Sequence, residues 1–206
     1  MAMGTAAVSS TAKRTTSVLL WLALIAQIAW MASQELRSHV LWTAMWYPLT
    51  FVIVCLAMAC TNGHVRWIAA LLRILIALAF LQAVGDRFGL FGGPGTPGVA
   101  WGDFAHFIAY TGKVNSFMPH AVIPALAVTA TLAEVLFGLA LLLGICIRYA
   151  TIGSALLLTA FATAMTISGL SQFRYSVYLM AAGALYLATV NASFLSVDAI
   201  AGRQGK

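Results

Sequence analysis

The sequence predicts an all-α membrane protein, a polytopic bundle of about six spans. Hydrophobic residues make up 62% of the 206 residues and charged residues only 8%, and the mean hydropathy is +0.96. A soluble domain of this size does not carry so much apolar surface. The apolar residues also fall into runs of roughly 20, the length at which a helix crosses a hydrocarbon layer of about 30 Å.

The remaining composition excludes some classes of function. The net charge of +6 does not indicate a nucleic-acid surface, because the basic residues stand singly between apolar runs, where they act as topology signals. Cys55, Cys60 and Cys146 form no CxxC pair and lie inside or at the ends of apolar runs. We therefore expect buried free thiols, with a redox pair or a metal site as the alternative.

The N-terminal region allows two interpretations. Residues 1–16 are small and polar and are expected to be a disordered tail. Lys13 and Arg14 precede an apolar run that resembles a signal peptide, but this run is long and no clean small-x-small cleavage site follows it. We favour a retained first span, with a cleaved leader as the alternative.

Short polar breaks divide the rest of the chain into spans. The first two spans occupy residues 17–60, a four-helix core occupies residues 66–194, and residues 195–206 form a polar tail. Tight turns are predicted at residues 61–64 and 171–174, and Arg148 marks a very short connection between antiparallel neighbours. Pro48 is expected to kink or cap the second span. The predicted spans are Ser17–Ser33, Leu41–Cys60, Arg66–Phe88, Ala121–Ile147, Tyr149–Leu170 and Tyr175–Phe194.

A long connection, residues 89–120, separates the third span from the fourth. Phe104, Phe107 and Ile108 follow the i, i+3, i+4 spacing of a helix face, with Asp103 as its N-cap and Gly112 as its stop. The spacing predicts a short amphipathic helix at the membrane surface, with its aromatic residues in the interface. A solvent-exposed loop is the alternative.

The distribution of lysine and arginine predicts the orientation. With six spans, both termini lie on the same side of the membrane. That side carries six of the basic residues and the opposite side four, which favours cytoplasmic termini. The six are Lys13, Arg14, Arg66, Arg148, Arg203 and Lys206; the four are Arg37, Arg87, Lys113 and Arg174.

Two charges fall inside predicted spans, Arg73 and Glu134. A carboxylate at the centre of a span costs roughly 2.5–3.5 kcal/mol, so it should face a partner or a cavity. If spans three and four have level ends, Arg73 lies roughly 10 Å and Glu134 roughly 20 Å from the cytoplasmic side. We therefore expect a pair, either direct or bridged by water or a ligand. The pair would serve as a structural salt bridge or as a site for a ligand head group or a proton.

A second polar group is expected at the outer end of the bundle, as an interfacial rim. Its two histidines show no metal-ligand spacing, so no metal site is predicted there. No nucleophile triad, phosphate-binding loop or haem-attachment motif occurs, and catalytic residues therefore cannot be assigned. The rim residues are Asp86, Arg87, His106, Lys113, Asn115 and His120.

Residues 67–190 resemble the DoxX family of small bacterial membrane proteins. Several motifs carry the resemblance as a set, including Glu134 with the GLALLLG stretch that follows it, and the FRYSVYLM segment before the final helix. The other motifs are Arg73 in LLRILIALAF, the helix end Gly85-Asp86-Arg87-Phe88, and Asn115-Ser116-Phe117-Met118-Pro119.

The resemblance implies a four-helix core preceded by two additional spans, in the bacterial cytoplasmic membrane. Family members include a subunit of thiosulfate:quinone oxidoreductase. The chain would then be an accessory subunit of a quinone-linked redox complex, structural or close to the quinone, in contact with lipid and with other subunits. The alternative is a quinone-reducing subunit with Arg73 and Glu134 as its site; a quinone is the only cofactor implied, and none is covalently bound. A transporter is less favoured, because the last four spans show no inverted repeat.

Overall fold

The computed structural model describes residues 10–38, 46–169 and 173–202, and within these ranges the chain forms helices and no strand. A 3-10 turn occupies His120–Val122. The α-helices are α1 (Ser10–Ser38), α2 (Trp46–Cys60), α3 (Arg66–Arg87), α4 (Phe104–Val114), α5 (Ile123–Leu143), α6 (Ile147–Ile167), α7 (Arg174–Leu187) and α8 (Val197–Ile200).

Four helices in the described part of the chain are long and apolar enough to cross a membrane. They comprise residues Ser10–Leu36, Arg66–Arg87, His120–Leu143 and Ile147–Ile167. This number indicates a multi-pass membrane protein but does not reach the predicted six. The helix α2 has 15 residues and α7 has 14, which at 1.5 Å per residue gives each a length of roughly 20 Å, short of a ~30 Å hydrocarbon layer.

Several helix boundaries differ from those predicted. The helix α1 begins at Ser10, inside the stretch expected to be a disordered tail. Pro48 is the third residue of α2, where a missing N–H costs nothing and no kink is needed. The predicted start of the second span at Leu41 and the first half of the turn at 171–174 lie outside the described residues.

The connection between α5 and α6 comes earlier than Arg148. Gly144 has a φ of 68° and its N–H bonds back to the last turn of α5, and the N–H of Ile145 donates to the carbonyl of Ala140 at 2.9 Å. This is the usual glycine-terminated helix end, in which a left-handed residue satisfies the last carbonyls. Arg148 lies within the first turn of α6.

Small residues set the spacing between the helices. A methyl group at Gly138 of α5 would lie 3.1 Å from the Cδ2 atom of Leu81 in α3, and one at Gly183 of α7 would lie 3.4 Å from the sulfur of Cys55. Such close approach is typical of helix pairs packed in membranes. Of the three free thiols, Cys55 is buried as expected, whereas Cys60 and Cys146 are exposed.

The helix α5 has one face in the bundle and one face outside it. Its buried residues include Ala127, Thr131, Glu134 and Gly138. Its outer face carries a stripe of exposed branched aliphatic residues at helical spacing, as expected of a surface in contact with lipid. The stripe consists of Val128, Leu132, Leu136, Leu139 and Leu143.

The predicted helix in the long connection is present as α4. The carboxylate of Asp103 accepts the N–H of His106 at 2.8 Å, which confirms Asp103 as the N-cap. The helix continues through Gly112 to Val114 and ends where the N–H of Asn115 donates to the carbonyl of Thr111. Phe107 and Val114 are buried, so one face of the helix is covered by the protein.

Candidate functional site

The pairing of α3 with α5 determines which residue faces Glu134. Gly138 packs against Phe80 and Leu81, and six residues further along the chain, just past the end of α5, Gly144 packs against Arg73. The two helices are therefore antiparallel, and residues closer to the start of α5 lie beside later residues of α3. Glu134 consequently lies beside the last turn of α3, which ends at Arg87.

Arg87 and Glu134 form an enclosed ion pair. The Nη1 atom of Arg87 lies 2.5 Å from the Oε2 atom of Glu134, and the two side chains are 2% and 3% exposed. The same Nη1 donates to the hydroxyl of Thr131 at 2.8 Å, and that hydroxyl donates to the carbonyl of Ala127 at 2.9 Å. Each buried charge thus has an opposite charge beside it, as a membrane-embedded carboxylate requires.

Two aromatic rings cover the guanidinium group. The Cζ atom of Arg87 lies 3.6 Å from the centroid of the Phe107 ring and 5.2 Å from that of Trp101. The ring of Trp101 packs edge-on against that of Phe107, with centroids 5.1 Å apart, and its centroid lies 5.6 Å from that of the Tyr110 ring. Because the faces of aromatic rings attract cations, these contacts stabilise the guanidinium group away from water.

Asp86 fixes the segment that carries Trp101. Its two carboxylate oxygens accept the N–H groups of Ala100 at 3.2 Å and of Trp101 at 2.8 Å. The backbone of this connection crosses itself closely at Gly102, where a methyl group would lie 2.4 Å from the carbonyl carbon of Gly93. Adjacent residues at the end of α3 therefore make different contacts. Asp86 accepts hydrogen bonds from the backbone of the connection, and Arg87 pairs with Glu134 beneath that connection.

The predicted pairing of Arg73 with Glu134 is not found. The Nη2 atom of Arg73 instead donates to the carbonyls of Phe194 at 3.2 Å and Leu195 at 2.9 Å. The prediction assumed that the two spans end at the same level. Gly144, just past the end of α5, lies beside Arg73, the eighth residue of α3. The ten residues between Glu134 and Gly144 correspond to about 15 Å along the helix axis, which separates the two charges.

Arg73 belongs to a second buried cluster, formed with the C-terminal segment, residues 188–202. The N–H of Asp198 donates to the carbonyl of Gly144 at 3.1 Å, and the carboxylate of Asp198 accepts the N–H of Ile147 at 3.0 Å. Asp198 also interacts electrostatically with Arg73. Residues 195–202 of the expected polar tail thus pack against the bundle, and they close it at the turn between α5 and α6.

The predicted outer rim divides into buried and exposed members. Asp86 and Arg87 are buried, whereas His106, Lys113 and His120 are exposed, and the side-chain amide of Asn115 donates to the carbonyl of Thr111 at 3.0 Å. His106 Nδ1 lies 2.8 Å from Asp103 Oδ1. The hydrogen bond from the backbone N–H of His106, followed by that from its ring, lowers the pKa of Asp103 below its ordinary value.

Sequence reasoning did not assign Trp101, Phe107 or Thr131 to the site. Within the described residues, no group of three or more histidine, cysteine or acidic side chains is placed to hold a metal ion. The glycine of LLLGICIR marks the end of α5 in the sequence. Arg87 becomes the partner of Glu134 only because this end packs beside Arg73, the eighth residue of α3, and no local pattern in the sequence shows that placement.

Comparison of the chain with family models, with curated proteins and with solved structures found no match.

Proposed function

We propose that this chain is a non-catalytic membrane subunit of a quinone-linked redox complex, related to the DoxX family that residues 67–190 resemble. The observation that carries the proposal is the enclosure of Arg87 and Glu134, which are 2% and 3% exposed beneath Phe107 and Trp101. A pair enclosed in this way suits a structural role. It holds the outer connection (residues 89–120, which include α4) on the ends of α3 and α5, and so shapes the surface offered to a larger partner.

The proposed location is the bacterial cytoplasmic membrane, with both termini in the cytoplasm. The four long apolar helices support a multi-pass arrangement. The basic residues around the turns at residues 61–64 and 144–146 favour placing these turns inside. The outer connection and α4 then face the periplasm, where a partner subunit could reach them.

Purification in a mild detergent, followed by identification of proteins and lipids, tests the proposal. We expect a stoichiometric protein partner and no stoichiometric quinone. Glu134→Gln should weaken retention of the partner because it loosens the outer connection. Arg148→Gln, which removes an exposed charge next to the α5–α6 turn, is the matched control and should retain the partner. Purification of the chain alone in a folded state from its native membrane would contradict the proposal.

A second candidate function is a quinone-proximal site at the same residues. The Nε donor of buried Arg87 has no hydrogen-bond partner among the residues that the structure describes, and aromatic rings flank the guanidinium group. This donor set fits a quinone, since Nε–H can donate to a carbonyl oxygen and Trp101 can stack on a flat ring. A bound quinone would supply two-electron redox chemistry. Glu134 would hold or release a proton at its carboxylate, and the aromatic cover would exclude water.

Arg87→Lys separates the two candidates, because it keeps the positive charge and removes the Nε donor. If the site binds quinone, the wild-type protein should yield about one quinone per chain on lipid extraction, and Arg87→Lys should lose most of it while partner retention is unchanged. If the Arg87–Glu134 pair has only a structural role, neither the wild-type protein nor Arg87→Lys carries quinone.

A further inference from the structure

The connection that follows α3 presents an apolar patch to the outside of the protein. Phe88, Leu90 and Phe91 are 68%, 74% and 51% exposed. The patch has a defined position, since a methyl group at Gly85 would lie 3.1 Å from the Cε2 atom of Phe91, and the ring of Phe88 stacks on that of Phe104 with centroids 5.9 Å apart. Three large apolar side chains held outward together indicate a contact surface.

The surrounding sequence favours lipid as the occupant. Residues 88–102 contain no acidic, basic or histidine residue. The patch directly follows the last turn of a helix that is long and apolar enough to cross the membrane, so it lies where that helix meets the outer boundary of the hydrocarbon layer. Phenylalanine and leucine at that level bury their apolar surface among the upper acyl chains.

The backbone of the patch is suited to an environment with little water. The N–H groups of Phe88 and Leu90 both donate to the carbonyl of Gly85, at 3.2 and 3.0 Å, and the N–H of Gly89 donates to the carbonyl of Asp86 at 3.1 Å. Backbone donors that remain unpaired in the hydrocarbon layer are strongly unfavourable, because no water is present to accept their hydrogen bonds. Internal pairing at three consecutive residues removes this cost where the side chains point outward.

We infer that residues 88–91 insert into the outer leaflet of the membrane, with Phe88, Leu90 and Phe91 among the upper acyl chains. The connection is then anchored from two directions. Asp86 and Arg87 hold it from inside the protein through Trp101, and the patch holds it from the lipid side. This inference concerns a surface separate from the Arg87–Glu134 pair and does not depend on the proposed function.

Fluorescent labelling in reconstituted vesicles tests the insertion. Exposed Cys60 and Cys146 are replaced by serine, and an environment-sensitive dye is attached through Leu90→Cys or, as the control in the same connection, through Thr96→Cys, an exposed position among glycines and prolines. We expect nitroxides on the acyl chains to quench the dye at residue 90 roughly twofold or more above the dye at residue 96. Iodide dissolved in the water should instead quench the dye at residue 96 more strongly than the dye at residue 90.

Two results would overturn the inference. Equal quenching of both dyes by iodide would show that the patch faces water. Protection of the dye at residue 90 from both quenchers, in vesicles that contain only this chain, would show that a second copy of the protein covers the patch. Unchanged thermal unfolding of both labelled proteins establishes that the fold is intact in either case.

Discussion

Arg87 Nη1 lies 2.5 Å from Glu134 Oε2, and this contact joins the last residue of α3 to the middle of α5. Thr131 and two aromatic rings surround the pair, so neither charge meets lipid or water directly. Removal of one partner leaves the other charge buried without compensation, which is far more costly than removal of both. This asymmetry gives the first prediction.

We expect Arg87→Met to destabilise the protein strongly, by up to about 3–5 kcal/mol, the range measured for broken buried pairs. Uptake of a proton by the stranded carboxyl would reduce this value. The double variant Arg87→Met/Glu134→Leu should recover much of the loss, because it leaves no buried charge. Unfolding in detergent, analysed as a double-mutant cycle, measures the coupling. Additive effects of the two substitutions would contradict the pairing.

A second prediction concerns Gly144, which has a φ of +68°. A methyl group there would lie 2.0 Å from Arg73 Nη1 and 2.2 Å from Ser196 Cβ. Gly144→Ala should therefore displace the C-terminal segment from Arg73. We expect earlier proteolysis within residues 188–202 and a lower unfolding temperature.

Gly169→Ala provides the matched control for Gly144→Ala. Gly169 has a similar φ of +66°, and among the described residues no atom lies within 4 Å of the added methyl group. The substitution should therefore introduce mainly the backbone strain, about 1 kcal/mol. Gly144→Ala should cost clearly more than this. Equal losses in the two variants would show that the C-terminal segment does not depend on close packing at Gly144.

The sequence was sufficient to predict a helical membrane bundle, the N-cap at Asp103 and the presence of α4, because these features depend on local composition and spacing. It was also sufficient to identify Glu134 as a buried charge that needs a partner. It did not identify that partner, because the relative level of two packed helices depends on where each one ends. Asp86 and Arg87 were assigned to an interfacial rim, since nothing local shows that a connection folds back over them.

A third prediction follows from the N-cap of α4. The carboxylate of Asp103 accepts the N–H of His106, and its pKa is lowered from the ordinary value of 3.8. A group with a lowered folded-state pKa stabilises the fold above its unfolded-state pKa, and this contribution is lost as the pH falls through the folded-state pKa. The cap should therefore persist at pH 5 and weaken only below about pH 3.8.

Amide hydrogen exchange within α4, corrected for intrinsic rates, measures this capping. At neutral pH, Asp103→Ala should speed exchange in the first turn severalfold, whereas Asp103→Asn, which can still accept the N–H of His106, should have a small effect. An equal effect of the alanine and asparagine variants would show that the side-chain oxygen does not cap the helix.

The natural cysteines allow the predicted orientation to be tested without the introduction of new cysteines. Cys60 ends α2 and Cys146 lies between α5 and α6, both exposed, whereas Cys55 is buried. If both turns face the cytoplasm, a membrane-impermeant maleimide should leave intact spheroplasts unlabelled and should modify two cysteines per chain in inside-out vesicles. Cys60→Ser and Cys146→Ser, tested singly, assign each label, and denaturation should release Cys55 as a third. Labelling of Cys60 and Cys146 from opposite sides would contradict a bundle in which α3 and α5 both cross the membrane, because these two helices connect the two turns to the same outer segment.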